Sequence, residues 1–166
     1  MSDLNKGINV EELKQFQQMV MESPSIADQN PTITAQWVEG GRSRIELGDI
    51  VTYLGGESEL DPMQMILGSF ASCEVTVITM HASLLNIKVE SLSVEASGHF
   101  NAQSLLGIEN SPGPGYNNIE IKAKLNAPEA TADQIKYLKK LCVESSPVCD
   151  TLTQPLDIDL VIEMVE

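Results

Sequence analysis

Three thiols, the guanidinium groups of Arg42 and Arg44, and two imidazoles are the side chains of this chain best suited to nucleophilic, redox or proton-transfer chemistry. Cys73 is the most conspicuous of them. It lies in an almost wholly apolar or small run that opens Asp61-Pro62-Met63-Gln64 and reaches Ser72-Cys73-Glu74. A lone cysteine in such surroundings is by default a small buried hydrophobe. A reactive one needs a nearby cation or a helix N-terminus to stabilise the thiolate. Cys73 falls about three turns past the helix start, beyond the reach of the N-terminal dipole, and the adjacent Glu74 charge opposes a thiolate. An activating cation therefore has to come from elsewhere in the fold, and Arg42 and Arg44, both on one early hairpin, are the guanidinium groups available. No Cys-x-x-Cys occurs, and His81 and His99 are the only histidines, so zinc has no credible ligand set. Cys73, Cys142 and Cys149 are too few and odd in number for a disulfide framework, which leaves core, catalytic or redox-sensing roles in a reducing, cytoplasmic setting.

These groups need elements to position them. Asp61 as N-cap and Pro62 at the first helical position start a helix whose apolar character continues through Leu85. A helix apolar on nearly every face belongs at the centre of a fold. Before it, residues 9–22 show helical spacing, 23–31 read as a linker, and Thr32 to Val38 alternate as a strand. That strand turns at Glu39-Gly40-Gly41 and is answered by Ser43 to Leu47, with Asp49 to Tyr53 continuing the sheet. After Asn86 the period switches: Ile87 and Val89, then Leu92, Val94 and Ala96 in the other phase, which places a bulge near Glu90-Ser91. Ile119 to Leu125 form a further strand, and Thr131-Ala132-Asp133-Gln134 reads as a capping box opening a helix that carries Ile135, Leu138, Leu141 and Cys142 on one face. Ser146-Pro147 begins a second, short helix ended by Pro155. Leu156 to Met164 then show the cleanest alternation in the chain and are expected to form a strand. Antiparallel hairpins with helices on one face make this an α+β fold.

Several functions are disfavoured. The net charge of −14, from 24 acidic and 10 basic residues, repels phosphates and anionic headgroups, so neither nucleic acid nor a membrane is expected as partner. No N-terminal signal pattern is legible, and Gln64, Glu74 and His81 interrupt the central helix as a membrane span. Gly55-Gly56 lacks the strand–loop–helix context and lysine of a phosphate cradle. Gly68, Ser69, Ala71 and Ser72 permit close approach of another backbone, from the same chain or from a second copy.

Taken in order, the Asp61-Pro62 helix reaching Ser72-Cys73, the strand Asn86-Ile87-Lys88-Val89-Glu90-Ser91-Leu92-Ser93-Val94-Glu95, the stretch Gly115-Tyr116-Asn117-Asn118-Ile119, and Ser146-Pro147-Val148-Cys149-Asp150-Thr151-Leu152 resemble the OsmC/Ohr family of osmotically inducible and organic-hydroperoxide-resistance proteins. The resemblance spans roughly residues 32–165, dividing the chain into an N-terminal helical extension and linker, 1–30, and an OsmC-like domain, 31–166. It implies an intertwined homodimer with two long central helices packed on curved, mainly antiparallel sheets. It further implies reduction of organic hydroperoxides by a peroxidatic cysteine matched at Cys73, an activating arginine matched at Arg42 with Arg44 close behind, and an external thiol reductant with no other cofactor. Two family residues do not carry over. The glutamate after the Asp-Pro helix start is replaced by Met63, and the second cysteine, of a Cys-Pro-Val motif, by Ser146. Glu59 is the candidate to stand in for the first, and Cys149 or Cys142 for the second. The alternatives are a non-catalytic homodimer binding a small apolar or acyl ligand near Cys73, and a carrier of a persulfide or mixed disulfide there.

Overall fold

A computed structural model of the chain describes residues 5–165. Helix α1, Val10–Glu22, starts where the Asn9 side chain accepts hydrogen bonds from the Glu11 and Glu12 N–H groups. A single 3₁₀ turn, Pro24–Ala27, follows, and neither element has a buried residue. Strands β1, Thr34–Glu39, β2, Arg42–Leu47, and β3, Ile50–Leu54, form an antiparallel meander with Gln36 opposite Arg44 and Arg44 opposite Tyr53. Gly40 and Gly48 take the positive φ that the two turns demand.

The central helix α2, Pro62–Leu84, is built as its sequence requires. Asp61 accepts from the Gln64 N–H at 2.8 Å while the Gln64 side chain accepts from the Asp61 N–H at 3.0 Å, closing a capping box at its start. Among the described residues it is the one helix long and apolar enough to cross a membrane; it packs against β4, Ser91–Phe100, and α3, Ala132–Ser145, burying Phe70, Val77, Ile78 and Ala82. Strand β4 pairs antiparallel with β5, Tyr116–Asn126, and the short α4, Pro147–Thr153, closes the order. Ile78 and Ala82 of α2, Ile87 from the turn that follows it, and Leu138 of α3 form the buried cluster, with Leu92, Val94 and Leu125 of the β4–β5 ladder packed on it. Each of the larger side chains stabilises the layer by roughly 1.5–3 kcal/mol.

The chain turns out of α2 through Asn86, at φ +55°, and Ile87 drops into the core. The strand expected to begin at Ile87 therefore begins at Ser91, and the register shift falls between His99 and Phe100 rather than near Glu90-Ser91. Residues 87–90 are occupied in ending the helix. Asn5, itself buried, donates to Ser83 Oγ at 2.8 Å and to the Ile87 carbonyl at 3.0 Å and accepts from the Val89 N–H at 2.7 Å. Polar groups freed at the helix exit are thus satisfied by the N-terminal segment instead of by a ladder.

A second correction concerns the C-terminal segment. Leu156 to Met164, expected as a strand, form none, and Ile158 and Met164 are 87 % and 97 % exposed. A strand exists through its ladder, and none of the five strands described bonds to this segment.

Candidate functional site

Cys73 projects from the middle of α2 toward the junction of α3 and α4. There Ser146, in extended conformation between two helices, is an N-cap: its Oγ accepts from the Cys149 N–H at 3.3 Å. The same Oγ lies 3.6 Å from Cys73 Sγ, within hydrogen-bond range for sulfur, and Ser146 is buried. The position that carries a serine instead of the expected second thiol is thus in direct contact with Cys73. Cys149 sits one turn into α4, close enough for Cys73 to influence its titration.

Beside this junction opens a pocket of about 560 Å³ lined by α2, β5, α3 and Cys149. Glu74, Cys142 and Cys149 face it together. Burial, then the Glu74 charge, pushes the Cys142 thiol up to about 11. Burial also raises Cys149, followed by the charges of Glu74, Asp150 and Cys73. All three free thiols are partly buried, and the two candidates to replace the missing cysteine are both harder to ionise than an ordinary thiol.

The cationic half of the proposed chemistry is assembled elsewhere. Arg42, at the start of β2, donates from Nε to Glu59 Oε1 and Oε2 at 3.0 and 3.2 Å, and from Nη2 to Oε1 at 2.7 Å. Its guanidinium lies 4.3 Å over the Tyr53 ring, and Glu59 also accepts from the Gly56 N–H at 3.0 Å. Arg42's hydrogen bonds hold the Glu59 carboxyl below its ordinary range, partial burial opposing and Gly56 assisting. Met63, where the glutamate is missing, gives only its carbonyl to the Tyr116 hydroxyl at 2.8 Å. Glu59, from the loop before α2, is the carboxylate that holds Arg42. Arg44 pairs with Glu46 instead. No hydrogen bond joins Cys73 to either guanidinium among the described residues; the two halves of the expected site are separate within one chain. Arg42 is held near the N-terminal end of α2, and Cys73 lies eleven residues after Pro62, about 16 Å farther along the axis.

Sequence reasoning missed two contributors. Gly56 was read as loop, yet a Cβ there would come within 2.6 Å of Glu59 Oε2 and 3.1 Å of Arg42 Nε, so the glycine makes room for the ion pair. Glu74 reads in the sequence as a charge beside Cys73 and a break in an apolar helix; its place on a pocket wall depends on β5 and α3, remote in sequence.

A family model described as OsmC-like protein matches residues 55–161. No protein in a search of curated sequences matches significantly. Among solved structures, an OsmC-like protein from Mycoplasma pneumoniae superposes with a TM-score of 0.64 at 18 % identity, covering 75 % of this chain and 88 % of that one. An organic hydroperoxide resistance protein OsmC from Legionella pneumophila gives 0.56 at 18 % identity over 76 % and 91 % of the two chains. An organic hydroperoxide resistance protein from Elizabethkingia anophelis gives 0.54 at 14 % over 76 % and 90 %.

Proposed function

The chain belongs to the OsmC-like protein family, and from that premise we propose that it is a thiol-dependent peroxidase of organic hydroperoxides with Cys73 as the attacking sulfur. The observation that carries the proposal is the 3.6 Å contact between Cys73 Sγ and Ser146 Oγ. It sets Cys73 against the residue position where the resemblance puts a resolving thiol, and it brings Cys149 to within one helical turn. The likeness to the Legionella and Elizabethkingia organic hydroperoxide resistance proteins supports hydroperoxides as the substrate class.

In the reaction, the Cys73 thiolate attacks the terminal oxygen of ROOH. The O–O bond breaks, the alkoxide takes a proton to leave as ROH, and Cys73 becomes a sulfenic acid. The Cys149 thiolate then attacks that sulfur, a disulfide forms and water departs. An external dithiol returns two electrons and restores both thiols. Cys149 is preferred to Cys142 because its N–H shares the Ser146 oxygen that touches Cys73, whereas Cys142 titrates at about 11.

Activation of Cys73 in this proposal needs a guanidinium, and in its own chain Arg42 is bonded to Glu59 and makes no hydrogen bond to Cys73. The functional unit in this proposal is a homodimer in which the Arg42–Glu59 pair of one copy meets Cys73 of the other. Three exposed features support it: a β1 strand with no buried residue, Trp37 at 79 % exposure, and the unpaired apolar segment after Pro155. The setting is cytoplasmic, where dithiol reductants keep the cycle running.

The test is consumption of cumene hydroperoxide with dithiothreitol. Cys73→Ser should abolish turnover, and Arg42→Met should slow it strongly. In Ser146→Cys, peroxide should produce a disulfide between position 73 and the new thiol, seen by non-reducing peptide mapping. Peroxide left unconsumed, with Cys73 unmodified by mass spectrometry, would overturn the reading.

A further inference from the structure

The pocket beside the α3–α4 junction contains a group that the peroxidase cycle does not use. Its walls are apolar, formed chiefly by Phe70 and Ile78 of α2, Ile121 of β5, and Ile135 and Leu138 of α3. Set into this surface is Glu74, only 8 % exposed. Its carboxylate takes no hydrogen bond and no salt bridge from any described residue, although it faces the pocket and acts electrostatically on both Cys142 and Cys149 across it. A mostly buried carboxylate that faces an apolar pocket and receives no donor from the protein is under-satisfied, and charges in such settings are normally paired. A cavity of this size, largely apolar with one convergent polar group, has the composition of a small-molecule site.

We propose that this pocket binds an apolar amine, with its ammonium group inward on Glu74 and its hydrocarbon body against the apolar walls. A carboxylate is acceptor-only, so the ligand must bring a donor; a charged donor makes the stronger bond and cancels the buried charge. The cationic residues at the pocket do not supply one. Lys122 is committed to Glu120 at 3.0 Å, and Lys139 is an exposed residue on the rim, where it disfavours a second cation at the mouth. The ligand therefore carries one positive charge, at its buried end. The net charge of −14 draws cations toward the surface and sets the same preference at long range. This site goes beyond the peroxidase reading: Cys149 borders the pocket, but amine binding rests on Glu74 and the apolar walls, and Cys73 is not among the residues that line it.

The experiment is calorimetric titration of the reduced full-length protein at neutral pH with octylamine, octanol and octanoate, which share a chain and differ in head group. Octylamine should bind once per chain, about tenfold more tightly than octanol, the difference between a charge-assisted and a neutral hydrogen bond. Octanoate should give no measurable heat. Glu74→Gln should erase the preference for amine over alcohol while octanol still binds, which shows that the pocket has folded. Ala123→Leu, on the β5 wall, should weaken all binding by filling space, and Cys73→Ser should leave every affinity unchanged. Equal binding of amine and alcohol by the parent protein, or an amine preference that survives Glu74→Gln, overturns the proposal. So does absence of binding accompanied by weaker self-association in Glu74→Gln on sedimentation, because a second copy would then be supplying the donor.

Discussion

The layer of α2 and α3 on β4–β5 and the meander β1–β3 are both antiparallel constructions, yet only one closes on itself. Along β4 partly buried and exposed residues alternate, as a sheet with one covered face requires, and Ile78, Ala82, Ile87 and Leu138 seal the space beneath α2. In β1 every residue is exposed, and in β2 both faces are half-covered. The chemistry is divided along the same line. The thiols and Glu74 belong to the closed layer, while Arg42, Glu59 and Tyr53 belong to the open one. A reaction needing both halves depends on whatever covers the open sheet, which in the reading proposed above is a second copy of the chain.

Stability should register the contrast most strongly. Leu138→Ala removes a side chain packed on Ile78 and Ile87, and should cost about 2–5 kcal/mol at any protein concentration. Trp37→Ala removes a larger side chain, but one that is 79 % exposed and tethered only by its Nε1–H to the Gly40 carbonyl at 2.9 Å. Its effect should depend on concentration: little change where the chains are concentrated, and a falling melting temperature on dilution as self-association weakens. Calorimetry over a dilution series separates the two. An equal, concentration-independent loss in both variants would mean that β1 is stabilised within its own chain and the comparison fails.

The thiols sharpen it chemically. With burial raising Cys142 from an ordinary thiol value of 9.0 to about 11, its thiolate fraction at pH 7 is roughly 100-fold below normal. Iodoacetamide labelling of Cys142 should accordingly climb about tenfold per pH unit and level only near pH 11, with Cys149 labelled faster. Glu74→Gln should speed both by removing a charge that each of them faces. If Cys142 is labelled as fast as Cys73 at neutral pH, the closed layer is less closed than the structure shows.

What could be read in the sequence follows the same division. The N-cap at Asp61, the capping box at Thr131, the short helix at Ser146 and the β1–β2 hairpin are local patterns, and each appears where its residues place it. The alternation of Leu156 to Met164 is equally clean but incomplete, because a strand also requires a neighbour, and no described strand supplies one. Ile87 misled for a different reason: its apolar phase with Val89 suits a strand, but Asn5, more than eighty residues away, takes the backbone groups there. Glu59 was legible as a candidate from its distance to the helix start. That Glu74 lines a pocket was not, since its walls come from three elements brought together by the core.

The smallest effect tests the open half most directly. Gly56 does not adopt a left-handed backbone, so alanine there introduces no φ strain, and the unfolding midpoint should stay where it is. Gly55 is the contrasting position: its φ is +83° and a Cβ would collide with the Gly41 carbonyl, so Gly55→Ala should damage the loop itself. In Gly56→Ala the added methyl, 2.6 Å from Glu59 Oε2, can be relieved only by moving the end of the glutamate and loosening its hold on Arg42. The Glu59 carboxyl is held low in the folded chain, so its pairing with Arg42 persists above the ordinary carboxylate range and is lost as pH falls through the lowered value. Gly56→Ala should raise that value toward normal, measurable by carbon NMR titration of Glu59, and slow alkylation of Cys73 by a few-fold, less than Arg42→Met does. A shifted Glu59 titration with unchanged Cys73 reactivity in both variants would show that the arginine does not serve the thiol, leaving the closed layer to act without the open one.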